Sequence, residues 1–185
     1  SGEAFPLGGL YARAGEGRRP ETLVANATVP EPFLTGTHRI LVERAGAVVT
    51  GMRIVEKLLD PKRVLIDVDA AEPAARRAAE EAVRRAGVRY EVIPRETGYP
   101  QALERHVLEA VTGRELRYPG VPEDIGCVLA GAETLEALAQ AVVADRPLCA
   151  RVVTVSGVVR RPANLAVRIG TRIRDLVEEC GGFAE

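Results

Sequence analysis

The chain has 185 residues, 46% hydrophobic and 28% charged, with a formal net charge of -1. That balance belongs to a globular protein with one core, or one core and a fragment, and it excludes a disordered chain. It also excludes the basic excess of a nucleic-acid surface, so nucleic acid is not an expected partner. Charges interrupt every apolar run well short of the roughly 20 residues that cross a bilayer, so no transmembrane segment is expected.

The opening, "SGEAFPLGGLYARAGEGRRP", is rich in Gly and Arg and lacks the basic-then-apolar order of a secretory leader; it reads as a cut inside a longer gene. Arg18 and Arg19 could meet a phosphate, but a mobile surface connection is the better reading. "TLVANAT" then clusters apolar residues without helical spacing and reads as a short buried strand, ended by a loop through Pro30 and Pro32. From about His38 to Leu59, the residues Leu41, Ala45, Val48, Met52, Val55 and Leu59 recur in steps of four and three, the spacing of one helical face. Gly46 and Gly51 weaken that helix on propensity.

"KRVLIDVD" is a strand with a continuous apolar centre, and "AEPAARRAAEEAVRRAGV" a helix with Pro73 in its first turn and Gly87 as its stop. Ala75, Ala78, Ala79, Ala82, Val83 and Ala86 form a small-residue face, while Glu80–Arg84 and Glu81–Arg85 are spaced as solvated i,i+4 pairs. "RYEVIP" alternates as a strand, and "YPQALERHVLEAVTG" reads as a helix entered at Tyr99-Pro100 with Leu103, Val107, Ala110 and Val111 inward. "IGCVLAG" and "AETLEALAQAVV" supply another strand and helix. Strands alternating with helices predict an α/β fold, a mostly parallel sheet covered on both faces.

Near residue 150 the pattern changes. "RVVTVSG" and "LAVRIG" read as paired strands around Arg160, Arg161 and Pro162, followed by the short helix "TRIRDLVEECGG" with Ile173, Leu176, Val177 and Cys180 on one face. The expected organisation is residues 1–150 as an α/β domain and 151–185 as the start of a second small domain.

Local chemistry motifs are few. Cys127, Cys149 and Cys180 are too dispersed for a Cys-x-x-Cys metal or iron–sulfur site and read as small core residues in a reducing, cytoplasmic setting. His38 and His106 have no second ligand at metal spacing and read as surface or packed side chains. Glu56, Asp67 and Asp69 show no paired-carboxylate spacing, and there is no P-loop, G-x-S-x-G or H-E-x-x-H motif.

Four phrases, "EPFLTGTHRILVE", "YPQALERHVLEAVTGREL", "VPEDIGCVLAGAETLEALAQAVV" and "RVVTVSGVVRRPANLAVRIGTRIRDLVEECGGF", occur in the order expected of RnfC, the peripheral subunit of the Rnf electron-transport complex. The chain resembles that family over nearly its whole length. RnfC is related to the flavin-bearing NADH-dehydrogenase subunit of complex I and to cobalamin reductases, and the tail from 151 resembles the start of a soluble-ligand-binding β-grasp (SLBB) domain. The resemblance implies a three-layer α/β sandwich like the complex I flavin subunit, FMN and NADH as cofactors, 4Fe-4S clusters outside this segment, and other subunits of a membrane-peripheral electron-transport complex as partners.

Residue by residue, the resemblance nominates Gly2, Phe5, Asn26, Glu31, Tyr99, Glu104 and Thr134 as cofactor-binding, with no catalytic side chain and no metal ligand. It also shows departures. Ala4 and Leu10 stand where the flavin loop of the family has Gly and Lys, Val29 and Pro30 replace the first acid and its neighbour, Ala102 and Leu103 stand where smaller residues admit the cofactor, and "GAET" replaces Asn-Val-x-Thr. Two readings stay open: an NADH- and flavin-linked electron-transfer subunit, and a scaffold of the same fold whose cofactor grip has decayed. A cobalamin reductase-like flavoprotein is a third. As bland alternatives, Asn26 caps a turn and Glu31 complements the dipole of the following helix.

Overall fold

The computed structural model describes residues 20–29 and 31–184. Four parallel strands, β1 (Thr22–Asn26), β2 (Arg63–Asp69), β3 (Glu91–Arg95) and β4 (Cys127–Gly131), form a sheet in the order β3-β2-β1-β4. Helices α1 (Gly36–Leu59), α2 (Pro73–Ala86), α3 (Glu104–Thr112) and α4 (Ala132–Val143) connect or follow them, with a 3-10 turn at Pro122–Ile125. The expected mostly parallel α/β architecture is therefore present.

Strand periodicity divides the sheet into two buried faces. Leu23, Ala25, Val64, Ile66, Val68, Val128 and Ala130 face the larger cluster with α1, α2 and α4, whereas Val24, Leu65 and Cys127 face Val107, Leu108 and Val111 of α3 and Leu116. This gives three layers, helices over sheet over helix. The six helical residues read from the 3.6-residue spacing of α1 are all buried.

Some expectations need correction. The helix predicted from Tyr99 begins only at Glu104; residues 99–103 are turns, with a cis Tyr99-Pro100 peptide and bonds from Gln101 N to Gly98 O and from Leu103 N to Pro100 O. Because the carbonyl of Ala102 accepts Asn26 Nδ2 at 3.2 Å, it serves β1 instead of a helical turn. The later start also moves the inward face: Leu108 is buried with Val107 and Val111, while Leu103 and Ala110 are exposed. On α2, Glu81–Arg85 forms as spaced, but Glu80 pairs backwards with Arg76 at 2.7 Å and not with Arg84. Cys127 and Cys180 are buried as expected, yet Cys149 is exposed, because it lies in the connection before β5 and not in a packed element.

Strands β5 (Ala150–Val155) and β6 (Ala163–Arg168) form the expected hairpin, antiparallel from Ala150↔Arg168 to Val155↔Ala163, and α5 (Ile173–Glu179) follows. Leu176 and Val177 are half-buried and Cys180 is fully packed, but Ile173 is 79% exposed. Among the described residues no helix is long and apolar enough to cross a membrane.

Candidate functional site

The carboxyl edge of the sheet, where ligands of open α/β sheets settle, holds the candidate site. At this edge the segment after β1, the end of β2 and the segment after β3 enclose a cleft of about 320 Å³, at the small end of ligand pockets. Its polar wall is Glu31, His38, Asp69, Glu72 and Thr97, with Tyr99 at the rim.

Each of these groups is placed by a local device. Asp69 ends β2 and turns the chain by accepting Ala71 N at 2.8 Å on one oxygen, while its other oxygen accepts the Thr97 hydroxyl. His38 stands in the first turn of α1, its buried Nδ1 3.4 Å from Glu72 Oε2. That separation suits an ion pair with a protonated ring but lacks hydrogen-bond alignment. Phe33 lies beside them with φ 66°, a left-handed conformation uncommon for a bulky residue.

Two residues before Asp69 on β2, Asp67 is 0% exposed and accepts Arg95 Nε at 3.1 Å and Nη2 at 2.8 Å. Burial pushes the Asp67 carboxyl above its ordinary range; the Arg95 guanidinium and a Thr28 hydrogen bond pull it back, and Asp69 adds to the rise. Burial likewise pushes the Cys127 thiol up, so it is a packed thiol and not a thiolate nucleophile.

The candidates from the sequence are only partly brought together. Glu31 and Tyr99 line the cleft. Asn26 does not line it: Oδ1 accepts Thr28 N at 3.1 Å and Thr28 Oγ1 at 2.7 Å, and Nδ2 donates to Ala102 O, the arrangement of a turn-capping Asn. Glu104 stands in the first turn of α3 and Thr134 in that of α4, neither lining the cleft. Gly2 and Phe5, like Ala4, Leu10 and Pro30, lie outside the described residues.

Sequence reasoning passed over His38, Asp69, Glu72 and Thr97. The legible signal was Asp67 and Asp69 at alternate positions in an otherwise apolar strand, which puts two carboxylates on one face at its carboxyl end.

Comparison with known proteins decides the family. Residues 1–140 match the family model of the Nuo51 FMN-binding domain, and residues 152–185 match that of the SLBB domain. The chain belongs to the Nuo51 FMN-binding domain family. A component of the proton-translocating ferredoxin:NAD(+) oxidoreductase complex of Clostridium ljungdahlii is 34% identical over 169 residues, which cover 91% of this chain and 36% of that protein. The corresponding component of the ion-translocating oxidoreductase complex of Rhodobacter capsulatus is 36% identical, with coverage of 89% and 32%. The resemblance to RnfC read from the sequence is thus supported. The chain spans about a third of the length of these two relatives.

The crystal structure of an NAD+-reducing NiFe hydrogenase in its H2-reduced state superposes with a TM-score of 0.83 at 20% identity, covering 97% of this chain and 36% of that one. It shares the fold.

A family named for FMN invites a test of the cleft itself. Its lining includes the carboxylates Glu31, Asp69 and Glu72 but, among the described residues, no Lys or Arg. Carboxylates accept hydrogen bonds from hydroxyl and amide groups and repel phosphate. The described cleft therefore fits the hydroxyl-bearing and ring portions of a flavin or nicotinamide nucleotide, and not its phosphate.

Proposed function

We propose that this chain is the nucleotide-binding segment of an RnfC-like electron-transfer subunit, with residues 1–150 as the flavin-domain unit and 151–185 as the opening of an SLBB unit. The observation that carries it is the acidic cleft at the carboxyl edge of the sheet, built from the connections that follow β1, β2 and β3. The bound cofactor would supply hydride and electron transfer; the chain supplies binding and orientation.

In this reading Glu31 and Asp69 accept hydrogen bonds from ribityl or ribose hydroxyls, and Tyr99 covers the ring edge. The phosphate falls to the glycine- and arginine-rich opening, with Gly2 and Phe5 in its loop and Arg18 and Arg19 as cations. Asn26 acts one step back, by fixing the turn that leads to Glu31. Iron–sulfur clusters belong to parts of the longer protein beyond this segment, as do contacts with partner subunits of a membrane-peripheral complex.

Titration of FMN into the 185-residue chain tests the reading, with flavin fluorescence as the signal. Saturable quenching is expected, weakened about tenfold by Asp69→Asn, the scale of one charge-assisted hydrogen bond. A chain that melts cooperatively yet leaves FMN fluorescence unchanged would overturn it. That outcome would favour the scaffold reading.

A further inference from the structure

We infer that the β5–β6 hairpin is the clamp that shapes the cleft: Thr154 and Asn164 cap α1 from outside and hold the strip 31–35 in place. Nucleotide affinity then depends on the seating of the hairpin; this second half rests on the function proposed above.

The first turn of α1 is not capped from within. Thr35, its N-cap residue, makes no side-chain bond to the helix, and the first turn contains no acid. Exposed N–H groups at a helix start need acceptors. Here the acceptor comes from β5: Thr154 Oγ1 receives Thr35 N at 3.3 Å and Gly36 N at 3.1 Å.

Asn164 of β6 closes the arrangement, since Thr154 Oγ1 donates to its Oδ1 at 2.7 Å and its Nδ2 donates to Thr35 Oγ1 at 2.8 Å. A Cβ added to Gly36 would lie 3.4 Å from Thr154 Oγ1 and 3.5 Å from Val152 Cγ1, so hairpin and helix start are in direct contact. Arg151 reaches Glu133 of α4 at 3.6 Å, and Val152 packs on the main core, which seat the hairpin independently of Thr154.

What is capped is also a wall of the cleft. Pro32, Phe33 and Thr35 line both the acidic cleft and a second cavity of about 830 Å³ on the hairpin side, so this strip partitions the two. Phe33 is 84% exposed and holds its left-handed conformation without packing of its own. Such a conformation persists only where neighbours over-determine it. Those neighbours are Pro32 and the hairpin-bonded Thr35.

The test uses the 185-residue chain and two readouts, amide hydrogen exchange and FMN titration. In Thr154→Val, protection of Gly36 should fall about tenfold, the size of a lost cap, while Leu65 in the central sheet keeps its protection. The dissociation constant for FMN should rise by about the same factor. Thr154→Ser, which restores the hydroxyl, should recover both, and Thr171→Val at the far end of the hairpin should change neither. Asn164→Ala, which leaves the Thr154 cap, should give a smaller loss of both and serves if Thr154→Val does not fold.

Unchanged protection at Gly36 in Thr154→Val overturns the clamp. So does lost protection with FMN affinity unaltered. If the wild-type chain binds no FMN, the proposed function falls, and the clamp stands or falls on exchange at Gly36 alone.

Discussion

Gly51→Ala should abolish stable folding or cost more than about 3 kcal/mol, read as the urea midpoint or its disappearance. Gly51 is buried in the middle of α1, and the position of its missing Cβ lies 2.0 Å from Leu135 O, 2.6 Å from Leu135 C and 2.9 Å from Leu135 Cα. The obstructing atoms are backbone of α4, so no side chain can rotate away. A methyl group there forces α1 and α4 apart and opens the cluster that contains Val48, Met52 and Leu135. Gly46→Ala, the same chemical change in the same helix, meets nothing within 4 Å and should instead stabilise by about 0.5–1 kcal/mol. Equal effects at the two positions would show that α1 and α4 do not approach so closely.

These two glycines show where a sequence stops speaking. By propensity both weaken a helix, and from spacing alone they are indistinguishable. Only the neighbouring helix gives Gly51 its purpose. The periodic apolar residues were legible for the opposite reason: burial of Leu41, Val48, Met52 and Val55 is set by the 3.6-residue repeat of their own element, whatever lies opposite. The parallel strands were legible because β2 and β4 are buried on both faces and carry short apolar runs, Val64, Leu65 and Ile66 in one and Cys127, Val128, Leu129 and Ala130 in the other.

The site was less legible, because its groups come from three connections that the sheet order brings together. Glu31 follows β1, Asp69 and Glu72 follow β2, and Thr97 and Tyr99 follow β3. No local spacing relates them. Resemblance to the RnfC family pointed to Glu31 and Tyr99, but Asp69 emerges only once the carboxyl ends of the strands are aligned. The delayed start of α3 has the same character: "YPQALER" carries acceptable helix-entry residues, and it was the long-range bond from Asn26 to Ala102 O that claimed a carbonyl the helix would have used. The clamp on α1 is a still longer connection, joining Thr35 to residues 154 and 164.

Asp67→Ala should destabilise the chain by about 3–5 kcal/mol at neutral pH, because it leaves the Arg95 guanidinium, 13% exposed, without its carboxylate. The strand also anchors the turn that lines the cleft, since Ala27 N donates to Asp67 O at 3.0 Å. Replacing both partners by apolar residues of similar size, as in Asp67→Leu with Arg95→Met, should recover much of the loss, because the cost lies in the stranded charge and not in the missing attraction. The pH dependence distinguishes which force dominates at Asp67. Burial raises its folded pKa above the ordinary 3.8, so the folded chain holds this proton more tightly than the unfolded chain does. The stability linked to it is then full below 3.8 and is lost as pH climbs through the raised value. The stability difference between wild type and Asp67→Ala should therefore shrink with rising pH across that window. A difference that grows instead would mean that Arg95 outweighs burial and holds the carboxyl below its ordinary range, so that the buried ion pair forms at a net gain.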